Sequence, residues 1–276
     1  MSDNNLADWI GRSEKAEDFL SVSSLSRLAS TLGVLPPGSG GQLPLLWYWA
    51  FFQPTCPAGE LGDDGHPARG GFLPPVTNRN RMWAGSRVEF LHPLYSDKHA
   101  HRLSTITDIQ EKIGQAGKLL FVTIEHAYYQ GEILCVREEQ DIVYREPSPP
   151  RLATSEPLPP SEWAEEIRPD TTLLFRYSAV TFNSHRIHYD YKYAVEAEGY
   201  PELVVHGPLI ATLSLQAFCR ANPEARVRRF AFRGMRPLLL PSSFVVGGRL
   251  QGSESARLWA GNQDGMAQSA EVEFEA

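Results

Sequence analysis

Three of the chain's eight histidines, His185, His188 and His206, lie in two neighbouring runs, VTFNSHRIHYDYKYA and LVVHGPLI. An imidazole with an ordinary pKa near ~6.5 can take a proton from water at neutral pH and return it later, which suits such a cluster to general acid–base work. The plainer alternative is three histidines that only satisfy backbone groups. A metal site is a third reading, because His185 and His188 stand three apart. Zinc wants a third ligand and a supporting carboxylate, preferably on a helix, whereas this pair falls on a strand-to-loop stretch with the cation of Arg186 between. The pattern therefore predicts no metal.

The run His206-Gly207-Pro208 reads as a helix start, because proline is tolerated at the first helical positions where its missing N–H has no acceptor. The Gly207 N–H is then free to meet a ligand, and the helix dipole behind it would stabilise negative charge growing on a carbonyl oxygen. An ordinary helix start is the alternative. Further on, RVRRFAFRGMR carries Arg226, Arg228, Arg229, Arg233 and Arg236 with no acidic residue. On a strand Arg229 and Arg233 share one face and Phe230 and Phe232 the other, a placement suited to bidentate phosphate contacts or simply to a solvated face.

These groups need elements to hold them. The stretch LVVHGPLIATLSLQAFCR places Leu209, Ile210, Leu213, Ala217 and Phe218 at helical spacing, with Leu215 making the other face apolar, so a mostly buried helix is predicted. A strand is predicted at LLFRYSAVTF and a short helix at DYKYAVEAEG. Strands follow near RRFAFRGMRPLLLP, FVVGGRLQG, SARLWAG and MAQSAEVEFEA. In the first half Ser23 or Ser24 caps a helix over LSRLASTLG that ends at Gly33. Strands follow at RVEFLHPLY, RLSTITDIQEK, KLLFVTIEHAYY and EILCVREEQDIVYRE. The loop from Cys56 to Val76 is too long for a plain connection, so it is functional or packed over something.

The proline-rich EPSPPRLATSEPLPP divides the chain. The predicted organisation is a first unit over 1–145, a connector over 146–165 and a second unit over 166–276. A buried helix wrapped by a curved antiparallel sheet satisfies the order of elements in each half, which makes the fold class α+β. No close internal repeat in the sequence supports this duplication.

Composition narrows the partners. With 276 residues, 42% hydrophobic and 21% charged, the chain reads as a soluble globular protein. Its formal charge of -7 argues against general nucleic-acid or anionic-membrane binding, although a local basic patch can still hold a small anion. Cys56, Cys135 and Cys219 are odd in number and form no C-x-x-C pair, which suggests a reducing compartment. The residues from Met1 lack a basic start with an apolar core, and no long apolar run follows, so a cytoplasmic location is expected.

Taken together, Asn183-Ser184-His185-Arg186-Ile187-His188 and the later His206-Gly207 resemble the MaoC-like (R)-specific enoyl-CoA hydratases. Their signature is Asp, a variable residue, Asn-Pro, an aliphatic residue and His, followed later by a His-Gly helix start. The resemblance is closer to a double hot-dog subgroup that includes itaconyl-CoA hydratases, mesaconyl-C4-CoA hydratases and mitochondrial-type 3-hydroxyacyl-thioester dehydratases. It is carried by WIGRSE, ELGDDGHPARGGFLPPV, NRMWAGSRVEF, EEQDIVYRE and YSAVTFNSHRIHYD, which span both halves. It implies a double hot dog, two fused folds in which a sheet wraps a central helix, with the first half degenerate.

The resemblance also implies roles. His188 is the base that takes a proton from water, and Gly207 N–H holds the thioester oxygen as it becomes enolate-like. Asn183 stands where most members have Asp; it orients the water, and His188 returns the proton to the α-carbon. The implied reaction is hydration of a C5-dicarboxylic enoyl-CoA, itaconyl-CoA or mesaconyl-C4-CoA, to citramalyl-CoA in itaconate and mesaconate catabolism. Arg186 is the candidate for the free carboxylate. His206, Arg229, Arg233 and Arg236 are further substrate-binding candidates, the arginines meeting the CoA phosphates. CoA is then part of the substrate and no separate cofactor is expected; a homodimer is left open. The competing readings are a fatty-acid-type 3-hydroxyacyl-thioester dehydratase, a hot-dog thioesterase and a non-catalytic acyl-CoA-binding module. A deep apolar tunnel would favour the first, a short pocket closed by arginine the dicarboxylic substrate.

Overall fold

Period-two burial builds the sheet: along KLLFVTIEHAYY, Leu120, Val122, Ile124, His126 and Tyr128 are buried while Phe121, Thr123 and Glu125 are less so. The computed structural model describes residues 6–76, 80–114 and 117–275. The first five residues, read above for a targeting segment, and the last residue of the final predicted strand lie outside them.

The first half comprises β1 (Ser13–Phe19), α1 (Val22–Leu32), β2 (Asn80–Phe90), β3 (His99–Gly114), β4 (Gly117–Gln130) and β5 (Ile133–Arg145). The second comprises β6 (Trp163–Ile167), α2 (Thr171–Val180), α3 (Tyr191–Glu196), α4 (Gly207–Ala221), β7 (Arg226–Gly234), β8 (Phe244–Leu250), β9 (Ser255–Asn262) and β10 (Gly265–Glu275). The described strands form one ten-stranded sheet ordered β1-β3-β4-β5-β2-β7-β10-β9-β8-β6. Each half therefore repeats one topology: its second strand lies at the seam, next to its fifth, and its first lies at the outer edge. The duplication that no sequence repeat revealed is plain in the strand order.

The seam is the antiparallel pair β2 and β7, from Gly85↔Arg233 to Glu89↔Arg229. A Cβ on Gly85 would come within 2.3 Å of the Phe232 carbonyl oxygen, so only glycine permits this approach. The register against β5 shifts between Trp83 and Gly85, a bulge that changes which residues of β2 face inward.

The helices differ between halves. In the second, α4 lies against the sheet with Leu209, Ala211, Leu215 and Phe218 almost wholly buried; Phe218 packs against Trp163 and Phe274, ring centroids 5.9 and 5.3 Å away. In the first, a bridge Gln42↔Tyr95 corresponds to Val204↔Leu239, so Leu43 matches Val205 and Trp47 matches Leu209. Where α4 continues for 15 residues, the first half makes only a 3-10 turn over Trp47–Ala50. Phe51 is extended and Phe52 has φ 60°, which ends the helical path. The expected central helix is thus present only in the second half, and the first encloses open space.

Other expectations are corrected. LLFRYSAVTF is not a strand but α2: Asp170 Oδ1 accepts the Leu173 N–H at 2.7 Å, and Leu174, Tyr177 and Ser178 form its buried face. The cap of α1 is Ser21, whose hydroxyl oxygen accepts from Ser24 N, and Gly33 closes that helix in the left-handed region. The RPLLLP end of a predicted strand is irregular, because β7 stops at Gly234. β6 begins at Trp163, inside the stretch assigned to the connector. The prolines before it run alongside the β9–β10 hairpin, with Thr154 N donating to Asp264 O and Met266 N to Glu156 O, each at 2.9 Å. No helix among the described residues is long and apolar enough to cross a membrane.

Removing the Phe218 ring from the last turn of α4 leaves a cavity that the surrounding aromatic rings cannot fill. Phe218→Ala is expected to cost about 3–5 kcal/mol of stability, read as a lowered urea midpoint with an unchanged slope.

Candidate active site

His188 closes a short 3-10 turn, Arg186–His188, that follows α2. Its ring is buried, and its Nδ1 lies 2.7 Å from the Val204 carbonyl oxygen. A carbonyl only accepts, so Nδ1 carries the proton and Nε2 keeps the basic lone pair. Burial pushes the His188 pKa down to about 4. The ring is therefore neutral and base-competent at neutral pH.

Behind it, His206 stacks on His188 with centroids 3.7 Å apart and an interplanar angle of 20°. The Nε2 of His206 meets Ser178 Oγ at 2.8 Å, which ties it to α2. His206 is wholly buried and does not line the cavity; it backs His188 instead of meeting a substrate. Burial, with His188 and His185 beside it, holds its pKa well below the usual range.

Asn183 lines the cavity, and its Oδ1 accepts the His185 N–H at 3.0 Å. Among the described residues its Nδ2 has no acceptor, so one face of the amide stays available to water. Gly207 is the first residue of α4, where no earlier carbonyl of the helix can accept its N–H, and Pro208 has none to offer. Gln268 Nε2 donates to the Gly207 carbonyl at 3.1 Å and fixes that residue. A Cβ on Gly207 would meet nothing within 4 Å, so a ligand atom can approach here.

All these groups except His206 open onto a cavity of about 1140 Å³ lined by both halves. The first-half wall includes Trp49, Trp83, Arg102, His126, Glu138 and Gln140. Glu138 is buried there among Tyr48, Trp49 and Ser86, whose O–H and N–H groups donate to it at 3.2, 2.8 and 2.8 Å. Burial still raises its pKa. The space left by the missing helix is therefore polar at its end.

The loop from Cys56 to Val76 docks on the histidine run. Arg186 N donates to Asp64 O at 3.0 Å, Arg186 Nη1 to Asp63 O at 2.9 Å, and Ser184 Oγ to Gly65 O. Gly65 has φ +87°, and a Cβ there would lie 1.9 Å from Ser184 O. The docking brings in His66, whose ring lies 4.3 Å from that of His185 and whose Nδ1 is 3.1 Å from Asp64 Oδ2. Burial pushes His66 down, with Arg81 acting in the same direction against Asp64. Burial also depresses His185, which faces His66 and His188. The sequence reading did not single out Asp64, His66 or Gln268. A signal for the first two was a histidine two residues after an aspartate in an overlong loop; nothing marked Gln268.

The remaining candidates are placed elsewhere. Arg186 does not line the cavity; its Nε and Nη2 meet Asp190 Oδ2 at 3.0 and 2.7 Å, and it stacks over Tyr193. Arg229 lies on the solvent face of β7, paired with Glu89 at 2.9 Å and Glu273 at 3.6 Å. Arg233 shares that face and is also outside the cavity. Arg236 does line it, but is buried on the Gly265 and Pro237 carbonyls at 2.6 and 3.1 Å and on Asn262 Oδ1.

Comparison with known proteins bears on the family and the fold. A family model described as hydroxyacyl-thioester dehydratase type 2 matches residues 46–240. Mesaconyl-C(4)-CoA hydratase of Chloroflexus aurantiacus is 44% identical over 99% of both chains. The mitochondrial hydroxyacyl-thioester dehydratase type 2 of Schizosaccharomyces pombe is 28% identical over 88% of this chain and 91% of its own. In fold, HtdX of Mycobacterium tuberculosis superposes with a TM-score of 0.71 at 18% identity, covering 96% of this chain and 100% of that one. A second protein of that organism, described as having a double hot-dog fold, gives 0.62 at 10% identity and 96% of each chain.

Gly65→Ala should lift the loop off Ser184. Such displacement is expected to cost about 100-fold in kcat/KM with little change in melting temperature; unaltered kinetics would remove the loop from the site.

Proposed function

Because this chain belongs to the hydroxyacyl-thioester dehydratase type 2 family, we propose that it hydrates mesaconyl-C4-CoA to citramalyl-CoA. The observation that carries the reading is the His188 tautomer: Nδ1–H is held by Val204 O, so Nε2 is the base on a cavity wall that also carries Gly207. The 44% identity to a mesaconyl-C(4)-CoA hydratase along the whole chain supports this choice of substrate.

The steps follow from the positions. Asn183 orients a water, His188 Nε2 takes its proton, and the hydroxide adds to the β-carbon. Charge moves onto the thioester oxygen, where the Gly207 N–H and the α4 dipole stabilise it. The His188 imidazolium, disfavoured by burial, then delivers its proton to the α-carbon. One group serving one face gives syn addition. Water and the thioester account for every atom, so no cofactor is required.

Itaconyl-CoA, thioesterified at C4, has its double bond outside conjugation with the thioester. His188 would first take an α-proton and return it at the methylene carbon, giving mesaconyl-C4-CoA for hydration. Transient mesaconyl-C4-CoA during itaconyl-CoA turnover is the expected sign, supporting a place in itaconate catabolism. Within a largely apolar first-half wall, the cluster Arg102, His126, Glu138 and Gln140 offers polar groups that a long alkyl chain could not use and a short polar acyl group could.

The test is a substrate panel of mesaconyl-C4-CoA, itaconyl-CoA, crotonyl-CoA and a long-chain enoyl-CoA, followed by product mass. Preference for the long chain would make the protein a fatty-acid-type dehydratase, and binding without turnover a carrier. His188→Ala should lower kcat by about 10²–10⁴ while the circular dichroism stays native, and Asn183→Asp should keep substantial activity.

Acid should inhibit late. The base must be unprotonated, so kcat/KM falls only as pH drops through the depressed His188 value of about 4. A profile flat from pH 8 to 6 is expected, and an acid limb centred at ~6.5 would place the base on another residue.

A further inference from the structure

In the mesaconyl-C4 group the free carboxylate is bonded to the carbon that receives hydroxide, about 1.5 Å from it. A cation that holds this carboxylate must therefore stand beside the catalytic histidines. Arg186, the candidate from sequence, is turned away onto Asp190. Arg102 pairs with Glu14 at 3.4 Å among Tyr128 and His126, and Arg145 places both terminal nitrogens on Ser148 at 3.3 Å. Arg236 is surrounded by carbonyl oxygens.

Arg81 is different. The bulge in β2 turns it inward, opposite Tyr144 of β5, and it lines the cavity. Among the described residues its Nη2 makes a long contact to the Pro67 carbonyl at 3.5 Å, next to His66 and hence to His185, and its guanidinium lies close to the Tyr144 hydroxyl. Its Nε is buried without a partner, as are those of Arg102, Arg145 and Arg236, so the difference lies in its terminal nitrogens, which among the described residues reach no backbone or carboxylate oxygen beyond that long contact to Pro67. No carboxylate among the described residues pairs with it. A half-buried guanidinium edge left open on the wall of the same cavity, close enough to act on His66 and His185, is a fork for an incoming carboxylate.

We propose that Arg81 receives a carboxylate borne on the β-carbon of the acyl group and so selects dicarboxylic over simple acyl thioesters. The proposal rests on the hydratase reading above. Pairing also has a catalytic consequence, because an unneutralised carboxylate on the β-carbon would repel the incoming hydroxide.

Saturated ligands test the subsite without turnover. Methylsuccinyl-C4-CoA and isovaleryl-CoA share a skeleton and differ by carboxylate against methyl. Calorimetry on the whole protein should show about 100-fold tighter binding of the first. Arg81→Met should abolish that preference by weakening the first ligand alone, and Arg81→Lys, which keeps the charge but not the fork, should reduce it to about tenfold. No preference in the wild type, a preference that survives in either variant at full size, or equal loss of both ligands overturns the assignment. Melting curves identify a misfolded Arg81→Met, in which case Arg81→Lys decides. A wild type that shows the preference but leaves mesaconyl-C4-CoA unhydrated refutes the hydratase reading and not the subsite.

Discussion

The hydrogen bond from His188 Nδ1 to the Val204 carbonyl is the interaction on which the site depends. It fixes which ring nitrogen is basic, and it is held from both sides. Val204 N donates to Ile187 O at 3.0 Å, while Val205 N and Leu240 N donate to Leu238 O and Leu203 O at 2.8 and 3.0 Å. The same short segment runs on into His206 and Gly207, so the proposed base and the proposed oxyanion donor are tied to one stretch of backbone. Stacking of His206 on His188 and its contact with Ser178 add α2 to the support.

Duplication of the fold gives the two halves separate tasks. The second keeps its helix, and the start of that helix opens onto the cavity at Gly207. The first ends its helical path at Phe52, and the space so freed becomes cavity. Between α1 and the Gln42 bridge it has only a short connection, where the second half inserts the whole Asn183–His188 run and α3. What the first half contributes instead is the loop with Asp64 and His66, and an inner wall that sets Arg102, His126, Glu138 and Gln140 among apolar side chains.

Charge distribution follows the same division. The arginines of β7 that look most like a phosphate site are on the solvent face, where Glu89, Glu273 and Glu275 already meet Arg229 and Arg228. The cations inside the cavity come mainly from strands of the first half, Arg81, Arg102 and Arg145. An acidic protein thus holds its useful positive charge indoors, where solvent screens it least.

The sequence by itself determined the groups that lie close along the chain. His185, His188, His206 and Gly207 could be read as one site because helix spacing and a His-Gly-Pro start are local properties, and α4 was legible for the same reason. Local pattern failed at α2, whose aromatic-rich run resembles a strand until the Asp170 cap is recognised. Only the tertiary structure decided what Arg186 does, because Asp190 and the docked loop take all of its nitrogens. It alone decided the direction of Arg81 as well. Alternation read back from Val88 and Ser86 would point Met82 inward and Arg81 to solvent, whereas the bulge at Trp83–Gly85 reverses them, leaving Met82 40% exposed. A bulge is set by how one strand fits its partners, and that fit does not exist until the sheet is assembled.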